Sequence, residues 1–549
     1  MMKQVFSFVF LLTFISPAMA QEDYPGERPK LVVGIVVDQM RYEYLTRYWD
    51  RYGEGGFKRL VKQGFNFKNH HFNYIPTATG PGHTSVYTGS TPSEHGIIGN
   101  EWFDVFTDTE VYCVADPAVA SVGTESDAGK MSPHRLRRST MTDELRIFNN
   151  FKGITVAVAL KDRGAVLPAG YTGTAYWFHG KDEGRWVSST YYMNELPRWV
   201  EKFNKSKTAS SYRQKWKLLY DKDTYVNSNP DDTPYEQKFK GEKAPVFPHD
   251  LPGLWEENGG FDMIKSTPFG NNITTDFALA ALEGEGLGED DVTDFLAISY
   301  SSTDYVGHRY GVKAMETEDT YLRLDRDLER LLKSLDEKVG KGEYLVFLTA
   351  DHGASYNPRY LEDHKMSGGF YKTSEMINGL NDFAQRRFGN AGILRYSGYG
   401  QVYLNHSVLD SMELDKEKVR RILADHLLTY DQVEKVFTVD MLRSGDLKTG
   451  IAELVQNGYN AKLSGDIFVV FSPGLLSTGY VKGGTSHGTA YVYDTHVPFL
   501  LYGKGIRQGY TSDKTVIPDI APTISSLLGI PFPNGVKGAV RSEAYKINE

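Results

Sequence analysis

Cysteine is all but missing from this chain: Cys113 stands alone in 549 residues. No intrachain disulfide can therefore form, whatever the redox state of its compartment. The surrounding Cys113-Val114-Ala115-Asp116-Pro117 shows no metal or redox pairing, so the thiol reads as a small buried apolar side chain. Positive charge is also short, with 61 Lys and Arg against 70 Asp and Glu and a formal net charge of -9. That balance speaks against a general nucleic-acid binder, which carries a basic patch, although local cations can still dominate an anion pocket. Long apolar runs are confined to the start. Val5 to Ile15 follows Lys3 and precedes Ala18-Met19-Ala20, and it is shorter than the ~20 residues a membrane span needs. Residues 1–20 read as a cleaved export signal, and no Cys follows the cut to carry a lipid. The mature chain, 21–549, is expected in the periplasm or secreted, with no membrane span. Internal repeats and low-complexity tracts are absent. A dinucleotide fingerprint is absent too, since the Gly after Gly503-Lys504-Gly505 is Gly509, one place late.

What is present is an alternation of strand-like and helical runs, the pattern of a mostly parallel central sheet sandwiched by helices in an α/β fold. A helix is predicted from about Thr320 to Val339, with Leu324, Leu328, Leu331 and Leu335 on one face and Gly340 beyond its end. Two stretches break the alternation. Residues 171–271 are rich in Tyr, Trp, Lys and Pro, and 360–480 carry their own signals, including Lys416 to Tyr430 and Gly465 to Ser472. Chemistry-bearing residues lie on both sides of each stretch, so both read as insertions in one catalytic domain.

Those residues recur where apolar runs end. Asp38 follows Leu31 to Val37, Asp304 and His308 follow Phe295 to Tyr300, and Asp351 and His352 follow Tyr344 to Ala350; His487 lies in Gly483-Gly484-Thr485-Ser486-His487-Gly488. In an open α/β sheet the ligand crevice lies outside the carboxyl ends of the strands, so side chains far apart in sequence can meet there. Asp304 and His308 have i, i+4 spacing and share a face if the segment is helical. Three Asp and three His make a mixed oxygen and nitrogen donor set, which suits Zn²⁺ better than Ca²⁺ or Mg²⁺.

Pro76-Thr77-Ala78-Thr79-Gly80-Pro81-Gly82-His83-Thr84 is a Gly/Pro-punctuated turn opening a short helix. A hydroxyl at a helix N-terminus can be approached by an anion, because free backbone N–H groups point at it. Asn100 follows a Gly99 turn. Lys161 and Arg163 follow Ile154 to Leu160, and period-2 alternation would aim both the same way, as suits a tetrahedral dianion.

Taken in order, Asp38, the Thr79 turn, Asn100, Lys161-Asp162-Arg163, Asp304-x-x-x-His308, Asp351-His352 and Ser486-His487-Gly488 resemble the alkaline phosphatase superfamily of two-zinc phosphohydrolases. The likeness spans Leu31 to about Ile530 and is greatest to the exported, threonine-nucleophile monoesterases of flavobacteria and sphingomonads. It implies one zinc on Asp304, His308 and His487, and a second on Asp38, Asp351, His352 and the Thr79 oxygen. It also implies Thr79 as the nucleophile, with Asn100, Lys161 and Arg163 on the non-bridging oxygens. The best-known bacterial members have Ser beside Arg and a third, magnesium site; here Gly80 follows Thr79, and Lys161 is expected in the third metal's place. Small-molecule phosphate monoesters are the implied substrates, and the oligomeric state is open. The alternative is a nucleotide pyrophosphatase or phosphodiesterase-like diesterase on the same fold. Sulfatases, which mature a Cys in Cys-x-Pro-x-Arg, and cytoplasmic mutases fit less well. A non-catalytic, metal-stabilised binding protein would leave Thr79, Lys161 and Arg163 without a role.

Overall fold

The structure, a computed structural model, describes residues 27–181 and 183–546; the leader read at 1–20 lies outside the described residues. Ten strands form the central sheet: β1 Leu31–Val37, β2 Phe65–His71, β3 Ser121–Val122, β4 Thr155–Ala159, β5 Thr174–His179, β6 Arg185–Ser189, β7 Asp294–Tyr300, β8 Tyr344–Thr349, β9 Phe499–Gly503 and β10 Gly509–Val516. Their spatial order is β10-β2-β9-β8-β1-β7-β4-β5-β6-β3. The five central strands, β8 to β5, run parallel, while β9 lies antiparallel between β8 and β2. β1, β4, β7 and β8 are buried along their whole lengths, which is why they read as continuous apolar runs without alternation.

Register decides what meets at the sheet's end. Val36 pairs with Thr349, Val37 with Tyr300 and Ala159 with Ser299. The carboxyl ends of β8, β1, β7 and β4 therefore finish level, and the residues just beyond them share one edge. Five helices matter here: α1 Thr79–Thr88, α2 Asp162–Ala169, α3 Phe269–Gly284, α4 Ser302–Tyr310 and α5 Met315–Leu335. α1 packs on α2, and α3 covers β7 and β4. One hydrophobic core runs through this unit, and Cys113 is buried within it, its thiol pushed up to about 12 by burial. No described helix is long and apolar enough to cross a membrane.

Two expectations are adjusted. α5 begins at Met315, not near Thr320, and ends at Leu335 in a π turn over Asp336–Gly340. Its first turns are acidic yet buried. Glu316 is bound by His249 Nε2 at 3.1 Å, and Asp319 by Trp216 Nε1 at 2.8 Å, so apolar periodicity could not reveal them. β5 and β6 belong to the central sheet, so the stretch 171–271 starts inside it. The stretch 360–480 holds a four-stranded sheet of its own, Leu394–Gly398, Gln401–Leu404, Ile467–Phe471 and Val433–Thr438 in spatial order, with two separate apolar clusters.

Candidate active site

The level strand ends deliver Asp38 from β1, Asp351 and His352 from β8, Asp304 through α4, and Lys161 from β4. Lys161 is the last extended residue before α2, and its Nζ donates to Asp38 Oδ2 at 2.5 Å and Asp304 Oδ2 at 2.6 Å. The same nitrogen lies 3.4 Å from Thr79 Oγ1. Thr79 is the first residue of α1, whose N-cap, Ala78, supplies no side-chain acceptor. In the first turn of the helix the Gly80 N–H donates to Asn100 Oδ1 at 2.7 Å. Asn100 is thereby tied to the turn that carries the Thr79 hydroxyl.

Gly82 explains how α1 comes so close. A Cβ there would sit 2.3 Å from the Asp351 carbonyl oxygen, so the helix can touch the Asp351 loop only where it has no side chain.

The histidines surround the carboxylates. His308 Nε2 lies 3.1 Å from Asp304 Oδ1, and His487 Nε2 lies 3.6 Å from the same oxygen. His352 Nε2 is 3.4 Å from Asp38 Oδ1. Each ring is oriented from behind: Nδ1 of His308, His487 and His352 faces the carbonyls of Thr485, Thr77 and Gly353 at 2.8, 2.8 and 2.9 Å. This leaves every Nε2 turned inward as an acceptor, the arrangement in which histidines bind metals.

Arg163 departs from expectation. α2 has already begun at Asp162, so Arg163 lies in a helical turn and period-2 alternation from Lys161 does not apply. Its Nη1 donates instead to the Tyr112 hydroxyl at 3.0 Å, and that hydroxyl also binds Asp162. The two cations share a corner of the site but hold different partners.

Charge is badly balanced here unless cations enter. Burial, then the Asp304 and Asp351 charges, drive Asp38 well above the usual carboxylate range against the pull of Lys161. Burial opposes ionisation of Asp304 as well, but His308 and Lys161 hold it well below that range. Asp351 is likewise held low, against burial, by His352 and His83. Burial and the neighbouring His352 keep His487 well below the ordinary imidazole range. Asp38 Oδ1, Asp351 Oδ2 and His352 Nε2 are buried with no hydrogen-bond partner, a costly condition that a bound cation relieves. Donor atoms gather in two groups, Asp38-Asp351-His352 and Asp304-His352-His487. These residues fit two divalent ions with mixed oxygen and nitrogen ligands. His352 stands between the groups, its ring stacked on His487 at 3.4 Å, while His308 touches the second group through Asp304.

Two contributors were not foreseen. Gln39, in the left-handed region at φ 66, donates its backbone N–H to Asp351 Oδ1 at 3.1 Å and its Nε2 to Asp304 Oδ1 at 2.5 Å. It ties the two metal-facing carboxylates together. His83, fully buried, links the Thr79 carbonyl at 2.9 Å to Ser299 Oγ at 2.9 Å and lies 3.4 Å from Asp351 Oδ2. A polar residue after Asp38 and a His one turn after Thr79 were the only signals available.

Comparison with known proteins gives the family and the fold. Residues 32–496 match the model of the family described as type I phosphodiesterase / nucleotide pyrophosphatase. A Myroides odoratus protein named calcium-transporting ATPase is 46% identical over 526 residues, 95% of each chain. Alkaline phosphatase PafA of Elizabethkingia meningoseptica is 44% identical over 523 residues, 94% of this chain and 95% of that one. The crystal structure of wild-type PafA superposes with a TM-score of 0.91 at 43% identity, covering 95% of this chain and 100% of that one. The alkaline phosphatase-like α/β architecture with its large, mostly parallel sheet is therefore shared, and the chain belongs to the type I phosphodiesterase/nucleotide pyrophosphatase family within the alkaline phosphatase superfamily.

Proposed function

We propose that this chain is an exported, two-zinc alkaline phosphatase that hydrolyses phosphate monoesters through a phosphothreonine on Thr79, releasing inorganic phosphate. The observation that carries this reading is the Thr79 hydroxyl at the start of α1, 3.4 Å from the buried Lys161 ammonium and beside two groups of metal-type donors. The names of similar proteins, PafA and PhoV of Synechococcus elongatus, both alkaline phosphatases, support it.

Asp38, Asp351 and His352 would hold one zinc, together with the Thr79 oxygen, and Asp304, His308 and His487 the other. Such ions supply Lewis-acid charge to the attacking and leaving oxygens of an in-line displacement. The chain's own residues do the rest. Phosphoryl transfer asks mainly for positioning and charge. α1 fixes the Thr79 hydroxyl, and Asn100, pinned to the Gly80 N–H, stands beside it to orient a non-bridging oxygen. Thr79 Oγ forms the new bond to phosphorus as the ester P–O bond breaks; the alcohol oxygen leaves with the bonding pair and is protonated from solvent, which takes up the Thr79 proton. Water then cleaves the phosphothreonine, restoring the hydroxyl. Two inversions give net retention at phosphorus.

Lys161 and Arg163 decide the substrate class. The Lys161 ammonium, 3.4 Å from the Thr79 hydroxyl, with the Arg163 guanidinium held on Tyr112 in the same corner, brings positive charge that favours a dianion, which a monoester is and a diester is not. The test is kcat/KM for p-nitrophenyl phosphate beside bis-p-nitrophenyl phosphate on zinc-loaded protein. A large monoester preference is expected; a diester preference would assign the chain to the diesterase alternative that the family's own description names.

A further inference from the structure

A cavity of about 420 Å³ opens directly from the reacting centre. At its floor are Asn100, His308 and His487; its far wall is built by 360–480, notably Tyr371, Met376 and Tyr399. Nothing in the phosphoryl chemistry needs this space, so it must serve the rest of the substrate. Its size is in the range of sites for small organic ligands.

The wall carries one residue in an unusual conformation. Strands Leu394–Gly398 and Gln401–Leu404 form a hairpin closed by Gly398 opposite Gln401, with Tyr399-Gly400 as the two-residue turn. Both turn residues are left-handed, at φ 50 and 72. Such turns favour Asn-Gly or Gly-Gly, because a side chain at the first position is strained. Tyr399 is nevertheless there, 47% exposed, on the cavity wall. Its hydroxyl lies 3.4 Å from Glu101 Oε2, next in sequence to Asn100. Strain held by a half-exposed aromatic at the mouth of a site points to a role in binding rather than in folding. A second aromatic surface comes from Tyr371, stacked on Phe471 with centroids 4.1 Å apart and planes 14° from parallel.

We propose that this cavity is the leaving-group site and that Tyr399 and Tyr371 make it selective for monoesters of planar aromatic alcohols. This rests on the monoesterase reading above and adds to it a task for 360–480. The ring of the alcohol lies against Tyr399, with the ester oxygen towards His308 and His487. Small alkyl phosphates reach the same phosphoryl site without filling the cavity.

The experiment compares kcat/KM for 2-naphthyl phosphate, 5′-AMP and methyl phosphate in the wild type, Tyr399→Asn and Tyr399→Phe, all zinc-loaded. Asn suits the turn and removes the ring, so folding is protected, and Tyr399→Asn should melt no lower than the wild type. Stacking of one base on an aromatic side chain typically changes affinity by about 5- to 150-fold. Tyr399→Asn should lower the naphthyl-to-methyl ratio by a factor in that range, and Tyr399→Phe should restore it. If only the naphthyl ratio falls, the site takes phenolic esters; if the 5′-AMP ratio falls too, it takes nucleosides as well. Unchanged ratios, or equal losses on all three substrates, would overturn the proposal. Wild-type turnover of methyl phosphate checks the monoesterase reading separately: without it that reading fails, whatever Tyr399 does.

Discussion

Lys161→Ala is the most informative single perturbation. Lys161 is 5% exposed and its ammonium is bonded to two carboxylates, Asp38 and Asp304, while Asp351 adds a third buried acid. Removing one partner of a buried pair leaves uncompensated charge and typically costs about 3–5 kcal/mol. In chelator-treated protein the variant should lose stability on that scale, read as a lower urea midpoint at unchanged slope. Zinc should restore much of the loss, because metal charge then replaces the ammonium. Catalysis should respond differently. A charge-assisted hydrogen bond is worth about 1.5–3 kcal/mol, or about 10- to 150-fold in kcat/KM. That loss should fall on p-nitrophenyl phosphate and spare bis-p-nitrophenyl phosphate. Equal losses on both esters in a zinc-loaded, folded variant would refute the link between Lys161 and the monoester dianion.

Other tests follow from the same geometry. Chelation of the wild type should abolish phosphate release and lower Tm, since buried Asp38 Oδ1 and Asp351 Oδ2 then lack partners; an unchanged Tm would argue against ions at these groups. Gly82→Ala puts a methyl 2.3 Å from the Asp351 carbonyl oxygen and should cost about 1–3 kcal/mol, with a large fall in kcat as Thr79 shifts; wild-type activity would disprove the close approach. Far from the metals, His249 is fully buried between Glu242 and Glu316. Burial alone would lower its pKa, but hydrogen bonds to both acids raise it to about 9. Its folded value exceeds the ordinary 6.5, so its stabilisation, about 3 kcal/mol by linkage, is present below pH 6.5 and lost as pH rises through about 9. Tm should fall across that window, and His249→Gln should flatten the slope; an identical slope in the variant would remove His249 from the cause.

Much of this architecture was legible because buried parallel strands announce themselves as unbroken apolar runs, and acids placed just after them are costly unless used. Asp38 and Asp351 stood out on that ground, and Asp304, inside α4, gained its meaning only from the joint occurrence with them. The register that levels the strand ends was not visible, nor was the start of α2, which turned Arg163 towards Tyr112. Gln39 and His83 escaped because a left-handed glutamine and a buried helical histidine carry no periodic signal. The early turns of α5 escaped because their buried acids mimic a solvated face. Tyr399 occupies a turn position at which sequence rules expect Asn or Gly, and its place on the cavity wall emerges only when the hairpin is folded against Glu101.

The most direct test of Thr79 as the nucleophile is to quench zinc-loaded protein with acid during turnover of a phosphate monoester and locate phosphate by peptide mass spectrometry. A phosphoryl group on Thr79, absent from a Thr79→Ala variant that still binds metal and no longer turns over, is the expected result. An unmodified Thr79 peptide together with full turnover by Thr79→Ala would contradict it.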